Sequence, residues 1–302
     1  MSVLPQGWYV QQWQYGGSTA AEQSIDDTIQ LALEYRAAGI LEKVMDGLTW
    51  MGDIAPGSPA QMLDVIQHQK RCRDEGLIYI PWINPLWGDE AYLMQQARQY
   101  AAIGRDCGYL AWDTEPYEHF WGANRPAGDA ARMLDEFRRL APSCVNIWQP
   151  DPRPGRLAEL RPDEWAPYMN VIAGQHYWDD FGTSPDAEMV RADGLSQSFG
   201  LPCAPTISAS GSPEEFRAAI IGMGNRGMTA CIGWRLGTLG QSHLSVLRAL
   251  AGKQDAPIPD QPGDCRKIRD ELTMLRDGLD RLITTPYRRP AKRDLIALRG
   301  GD

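Results

Sequence analysis

Hydrophobic positions along the chain follow two periods in turn, and the points where one gives way to the other predict eight β-then-α units. The first strand is Trp8 to Gln12, followed by a helix over Ile25 to Ala38 whose apolar residues Ile25, Ile29 and Leu33 recur at helical spacing, with Gly39 as its stop. Leu41 to Asp46 is the second strand, and its helix opens at Ser58-Pro59, a cap residue with proline in the first turn, and ends at Gly76. Leu77 to Trp82 and Glu90 to Arg105 make the third unit, and Tyr109 to Glu115 with Ala130 to Leu140 the fourth. Cys144 to Trp148 is the fifth strand, with a helix near Asp163 to Tyr168. Val171 to Tyr177 is the sixth, with a helix behind Ser184-Pro185. Pro202 to Ser208 is the seventh strand, and Ser212-Pro213 opens a helix to about Gly224. Ala230 to Arg235 and His243 to Leu250 complete the count.

Eight such units with right-handed crossovers predict a (β/α)8 TIM barrel over residues 1–252. No Gly-x-Gly-x-x-Gly follows the first strand, which argues against a dinucleotide-binding sheet. Residues 253–302 are set apart as a proline-rich linker and a short helical tail. Within the tail, Ile268, Leu272, Leu275, Leu279 and Leu282 are spaced by fours and threes, the pattern of an a/d seam. That helix, 264–283, is expected either to pack on the outside of the barrel or to mediate self-association. Arg288, Arg289, Lys292 and Arg293 make the end basic.

Composition narrows the function classes. The 302 residues are 43% hydrophobic and carry a formal net charge of −9, which suits a globular protein binding neutral molecules and disfavours nucleic acid or an anionic membrane. No apolar run approaches the roughly 20 residues that span a bilayer. The N-terminal residues lack the features of a secretory signal, so a cytoplasmic protein is expected, with extracellular action requiring a non-classical or phage route. The six cysteines form no Cys-x-x-Cys pair and only four histidines occur, so no metal and no cofactor is expected.

In a barrel the chemistry gathers where the strands end. Eight of the 11 tryptophans (Trp13, Trp50, Trp82, Trp87, Trp121, Trp148, Trp178 and Trp234) fall near those ends. Flat rings beside amides and carboxylates suit sugars, whose C–H faces stack on indole while their hydroxyls need paired partners. The expected ligand is therefore a polysaccharide or oligosaccharide. The sharpest element is Trp112-Asp113-Thr114-Glu115-Pro116. Residues two apart in a strand share a face, so Asp113 and Glu115 should enter the mouth together, their Cα atoms about 6.5 to 7 Å apart. Such carboxyls perturb one another, and glycosidic cleavage uses a protonated acid beside a carboxylate.

An Asp-x-Glu ending strand four resembles the family 25 glycoside hydrolases, the lysozyme-type enzymes. It also resembles the last part of the Asp-x-x-Asp-x-Asp-x-Glu motif of family 18 chitinases. Carried over by position, the resemblance implies that Glu115 is the general acid/base. It implies that Asp113 assists the substrate's N-acetyl group, which acts as internal nucleophile. The chain departs from family 25 at strand one, where Gln11 and Gln12 stand in place of an aspartate, and from the chitinase motif at Gly108 and Ala111.

Further substrate-binding candidates follow from position alone: Gln11, Asp46, Trp82, Trp148, Gln175, His176, Tyr177, Trp234 and Arg235. Trp234 would floor the site, and Arg235 would bind an acidic substituent or hold Asp113 ionised. Both a glycoside hydrolase and a non-catalytic carbohydrate-binding barrel of a phage or surface assembly fit this pattern.

Overall fold

The computed structural model describes residues 4–13, 24–51, 61–209 and 211–251. The Ser58-Pro59 helix start and everything expected of 253–302, including the 264–283 helix, lie outside the described residues. The elements run β1 (Gly7–Gln12), α1 (Ile25–Glu34), β2 (Gly39–Asp46), β3 (Thr49–Trp50), α2 (Gln61–Asp74), β4 (Ile78–Asn84), α3 (Glu90–Cys107) and β5 (Tyr109–Thr114). They continue with α4 (Asp129–Leu140), β6 (Val145–Pro150), α5 (Pro154–Glu159), α6 (Pro162–Trp165), β7 (Val171–Ile172), β8 (Gln175–His176), α7 (Trp178–Phe181), α8 (Pro185–Phe199), β9 (Thr206–Ser208), α9 (Pro213–Asn225), β10 (Ala230–Trp234) and α10 (Gln241–Ala251). The strands form one curled parallel sheet ordered β7-β6-β5-β4-β2-β1-β10-β9-β8, with the short β3 antiparallel to β2.

Alternation along the strands sorts the core into two parts. Tyr9, Leu41, Ile80, Ala111, Ile147 and Ile232 pack inside the curl. Their strand neighbours Val10, Ile40, Leu110 and Trp148 face the helices, where Trp112, Phe137 and Trp165 pack edge to face. The five cysteines among the described residues are free thiols.

Helix starts follow local chemistry. Ser184 accepts a hydrogen bond from Ala187 N, and Ser212 and Glu215 close a reciprocal capping box, each cap followed by proline. Three expectations are corrected. Helix α1 stops at Glu34, with Tyr35 as its cap and Arg36 at φ 56°, and Gly39 instead begins β2, where an added Cβ would collide with the Ile78 carbonyl oxygen. Residues 163–168 belong to α6 and a single 3-10 turn, because Pro162 and Pro167 prevent a longer helix. The sixth strand is two short pieces, of which β7 pairs with β6 and β8 with β9. No helix among the described residues is long and apolar enough to cross a membrane.

Phe137 is fully buried, with its ring 4.9 Å from that of Trp112. Phe137→Ala should cost about 3–5 kcal/mol in denaturant-induced unfolding. Ser212→Ala should cost only about 1 kcal/mol, the usual worth of a cap.

Candidate active site at the strand ends

Near the strand ends, the residues that face inward change from apolar to polar. Gln11, Lys43, Asn84, Asp113, Gln149 and Gln175 line one cavity of about 200 Å³, with Trp13, Trp82, Phe120, Tyr177 and Trp234 supplying its aromatic wall. Asp113 is the penultimate residue of β5 and Glu115 the first beyond it, so both keep the inward phase. The side-chain Nε2 of Gln175 donates to Asp113 Oδ1 at 2.7 Å and to Glu115 Oε1 at 3.0 Å. An amide nitrogen carries two protons, so this one is fully committed and the orientation of the amide is set. Gln149 extends the network, its Nε2 donating to Gln11 Oε1 and Thr206 Oγ1, both at 3.0 Å.

Electrostatics follow from this burial. Asp113 is only 6% exposed, and desolvation pushes its carboxyl well above the usual range. The neighbouring Glu115 adds to the rise, while Lys43 and the bond from Gln175 oppose it. Glu115 is also raised, first by burial and then by Asp151, against the pull of Gln175, Arg153 and Lys43. Two carboxyls in one dry site titrate as a pair, and the pair tends to keep one proton between them. At the far edge Asp151 is held by Arg153 at 2.5 Å and by the Tyr117 hydroxyl at 3.2 Å.

The structure brings Gln11, Trp82, Asp113, Glu115, Gln175, Tyr177 and Trp234 to this cavity. Tyr177 stacks on Trp234 with centroids 6.2 Å apart and planes 22° from parallel, and Trp82 meets Trp234 edge-on at 6.1 Å. Asp46 ends β2 beside the cavity and pairs with Lys43. Arg235 does not pair with either acid; its guanidinium lies 4.4 Å over the Trp13 ring. Trp148 and His176 are not part of the cavity. Each follows the opposite strand parity, so Trp148 packs on Phe199 and donates to Thr114, while His176 meets Glu188 in the helix layer.

The expected ring of tryptophans is therefore reduced to Trp13, Trp82 and Trp234. Trp121 and Trp178 are buried in the same helix-facing core as Trp148. Lys43 was not among the sequence-derived candidates. Its signal was available: a lysine inside the apolar run Gly-Ile-Leu-Glu-Lys-Val-Met, sharing the inward parity of Leu41. Among the described residues, no cluster of three or more His, Cys, Asp or Glu could hold a metal.

The raised carboxyls have a consequence for stability. A carboxyl whose folded pKa exceeds its unfolded value makes the native state bind protons that the unfolded chain has already lost. Stability therefore falls as pH rises through that interval. Asp113→Asn keeps an acceptor oxygen for Gln175 and removes the buried charge. It should melt a few degrees above wild type at about pH 7, with the gap closing towards about pH 4, where unfolded carboxyls also protonate. A lower Tm at neutral pH, or a gap that widens in acid, would contradict this account.

No family model matches the chain, and no curated protein matches it by sequence. Its fold is nevertheless shared with solved structures. A family 18 chitinase from Pseudoalteromonas aurantia superposes with a TM-score of 0.54 at 10% identity, over 82% of this chain and 100% of that one. The catalytic domain of a hyperthermophilic chitinase from Pyrococcus furiosus gives 0.58 at 13% identity, over 83% and 96%. The spore cortex-lytic enzyme SleL from Bacillus cereus gives 0.56 at 10% identity, over 85% and 76%. At these identities, the likeness is one of fold.

Proposed function

We propose that this protein is a retaining glycoside hydrolase acting on a polysaccharide that carries N-acetyl groups. The observation that carries the reading is the single amide nitrogen of Gln175, which grips Asp113 and Glu115 at the floor of an aromatic-walled cavity. One atom reaching both oxygens at 2.7 and 3.0 Å keeps them closer than the roughly 6.5–9.5 Å separation of inverting pairs. Burial supplies the proton that a general acid must retain near neutral pH.

In this mechanism Glu115 gives its proton to the glycosidic oxygen as the bond from that oxygen to the anomeric carbon breaks. The carbonyl oxygen of the substrate's own N-acetyl group closes on the anomeric carbon, and ionised Asp113 holds the adjacent N–H. Water then opens this ring and returns a proton to Glu115, preserving the configuration. Trp234 and Tyr177 form the stacking floor for the reacting sugar, and Gln11 offers its amide nitrogen and Gln175 its amide oxygen to the hydroxyls. Gln11 occupies the strand-one position where family 25 enzymes have an acid, and its side chain is already bonded to Gln149.

The architecture that suits this reading is a closed eight-stranded barrel. Its support is that Ile172 N donates to Pro202 O while Ala204 N donates back to Ile172 O, which links β7 to the segment just ahead of β9. The likeness in fold to chitinases and a cortex-lytic enzyme is consistent with a sugar polymer as substrate.

Glu115→Gln should lower the cleavage rate by about 10²–10⁴-fold while leaving oligosaccharide affinity within a few-fold of wild type. Chitin oligomers and peptidoglycan fragments are the substrates to assay, with binding followed by calorimetry. A wild-type protein that binds such glycans and cleaves none would replace the hydrolase with a carbohydrate-binding barrel.

A further inference from the structure

Lys43 is an unusual residue to find inside a curled sheet. It occupies an inward position of β2, between the apolar floor and the mouth, and its side chain is only 6% exposed. Its ammonium lies 2.7 Å from Asp46 Oδ1 and 4.8 Å from the centroid of the Trp82 ring. Lysine is rarely buried to this degree, because dehydrating the ammonium is costly unless the charge is compensated. Asp46 compensates only in part: it faces the ammonium through one buried oxygen, while its side chain as a whole is 30% exposed to water. An ammonium has three protons, and one carboxylate oxygen does not exhaust them. The remainder of the field acts on the cavity that Lys43 shares with Asp113 and Glu115.

We propose that Lys43 is a positioning residue that holds negative charge on the strand-four pair, so that Asp113 and Glu115 keep one proton between them and not two. The groups around the pair are placed asymmetrically. Lys43 and Asp46 stand on the β2 side, Gln175 and Tyr177 reach in after β8, and the Asp151–Arg153 ion pair faces Glu115 from the end of β6. Arg153 meets Asp151 through both its Nε and its NH2 group, and this cation is largely spent on its partner. Lys43 is the less compensated cation, and it works against the rise of both carboxyls.

The inference rests on the hydrolase reading for its purpose, but its test does not require catalysis. Carbon-13 labelling of Asp and Glu in the full chain lets each carboxyl be titrated by NMR. In Lys43→Met, which keeps the stem and loses the charge, the Asp113–Glu115 pair should titrate about one pH unit higher than in wild type. Lys43→Arg should bring the pair back towards the wild-type value. A pair whose titration does not move in folded Lys43→Met overturns the proposal. Should Lys43→Met not fold, Lys43→Gln removes the same charge with a polar side chain in its place, and an unchanged titration of the pair rejects the idea. If wild type cleaves glycans, the acidic limb of kcat/KM should move up with Lys43→Met and recover with Lys43→Arg. A merely structural role would lower the rate without moving the limb.

Discussion

The shared nitrogen of Gln175 is the interaction around which the rest of the cavity is organised. A buried carboxyl is tolerated when its oxygens find donors, and two adjacent ones are tolerated when they can share a proton. Gln175 supplies the first condition to both acids with one group, because its two N–H bonds diverge towards Asp113 and Glu115, and it holds them close enough for burial to impose the second. Its own placement depends on the sixth strand being broken into two pieces, so that β8 can pair with β9 and turn Gln175 inward beside β6. Gln149 and Gln11 add a neutral amide layer beneath, and in it no charge competes for that nitrogen.

Two other buried carboxylates show what the cavity avoids. Glu42 accepts from His68 and the Tyr79 hydroxyl, and Glu188 is bonded by Thr183 and Arg191 and meets His176. For Glu188 these partners outweigh burial and hold the carboxyl below its ordinary range, while burial holds His176 below its own. These groups are saturated, and they tie helices α2 and α8 to the sheet. Asp113 and Glu115 have one shared amide donor instead, so burial prevails and their carboxyls rise. The same chemical group is held below its ordinary range at Glu188 and above it at Asp113 and Glu115, and the difference is the supply of donors.

Much of the fold could be read from the chain because its signals are local. Ser184-Pro185 and Ser212-Pro213 cap helices wherever they stand, since the cap acts within one turn. The inward phase of Asp113 and Glu115 likewise needs only the period of a strand. Gly39 was misread as a helix stop because its role is to let Ile78 approach from another strand, a contact between residues far apart in sequence. Trp148 and His176 were placed at the mouth by nearness to a strand end. Adjacent residues face opposite ways, and only Gln149 and Gln175 had the right parity.

The sequence alone therefore determined the succession of strands and helices, the capped helix starts and the two acids on one side of the fourth strand, because each depends on neighbours a few residues away. The tertiary structure decided that one glutamine from the sixth strand serves both acids. It also decided that a lysine from the second strand shares their cavity, and that most of the tryptophans belong to the helix-facing core. Those outcomes depend on which strands lie side by side and on how much water reaches each charge, and neither is a property of any short segment.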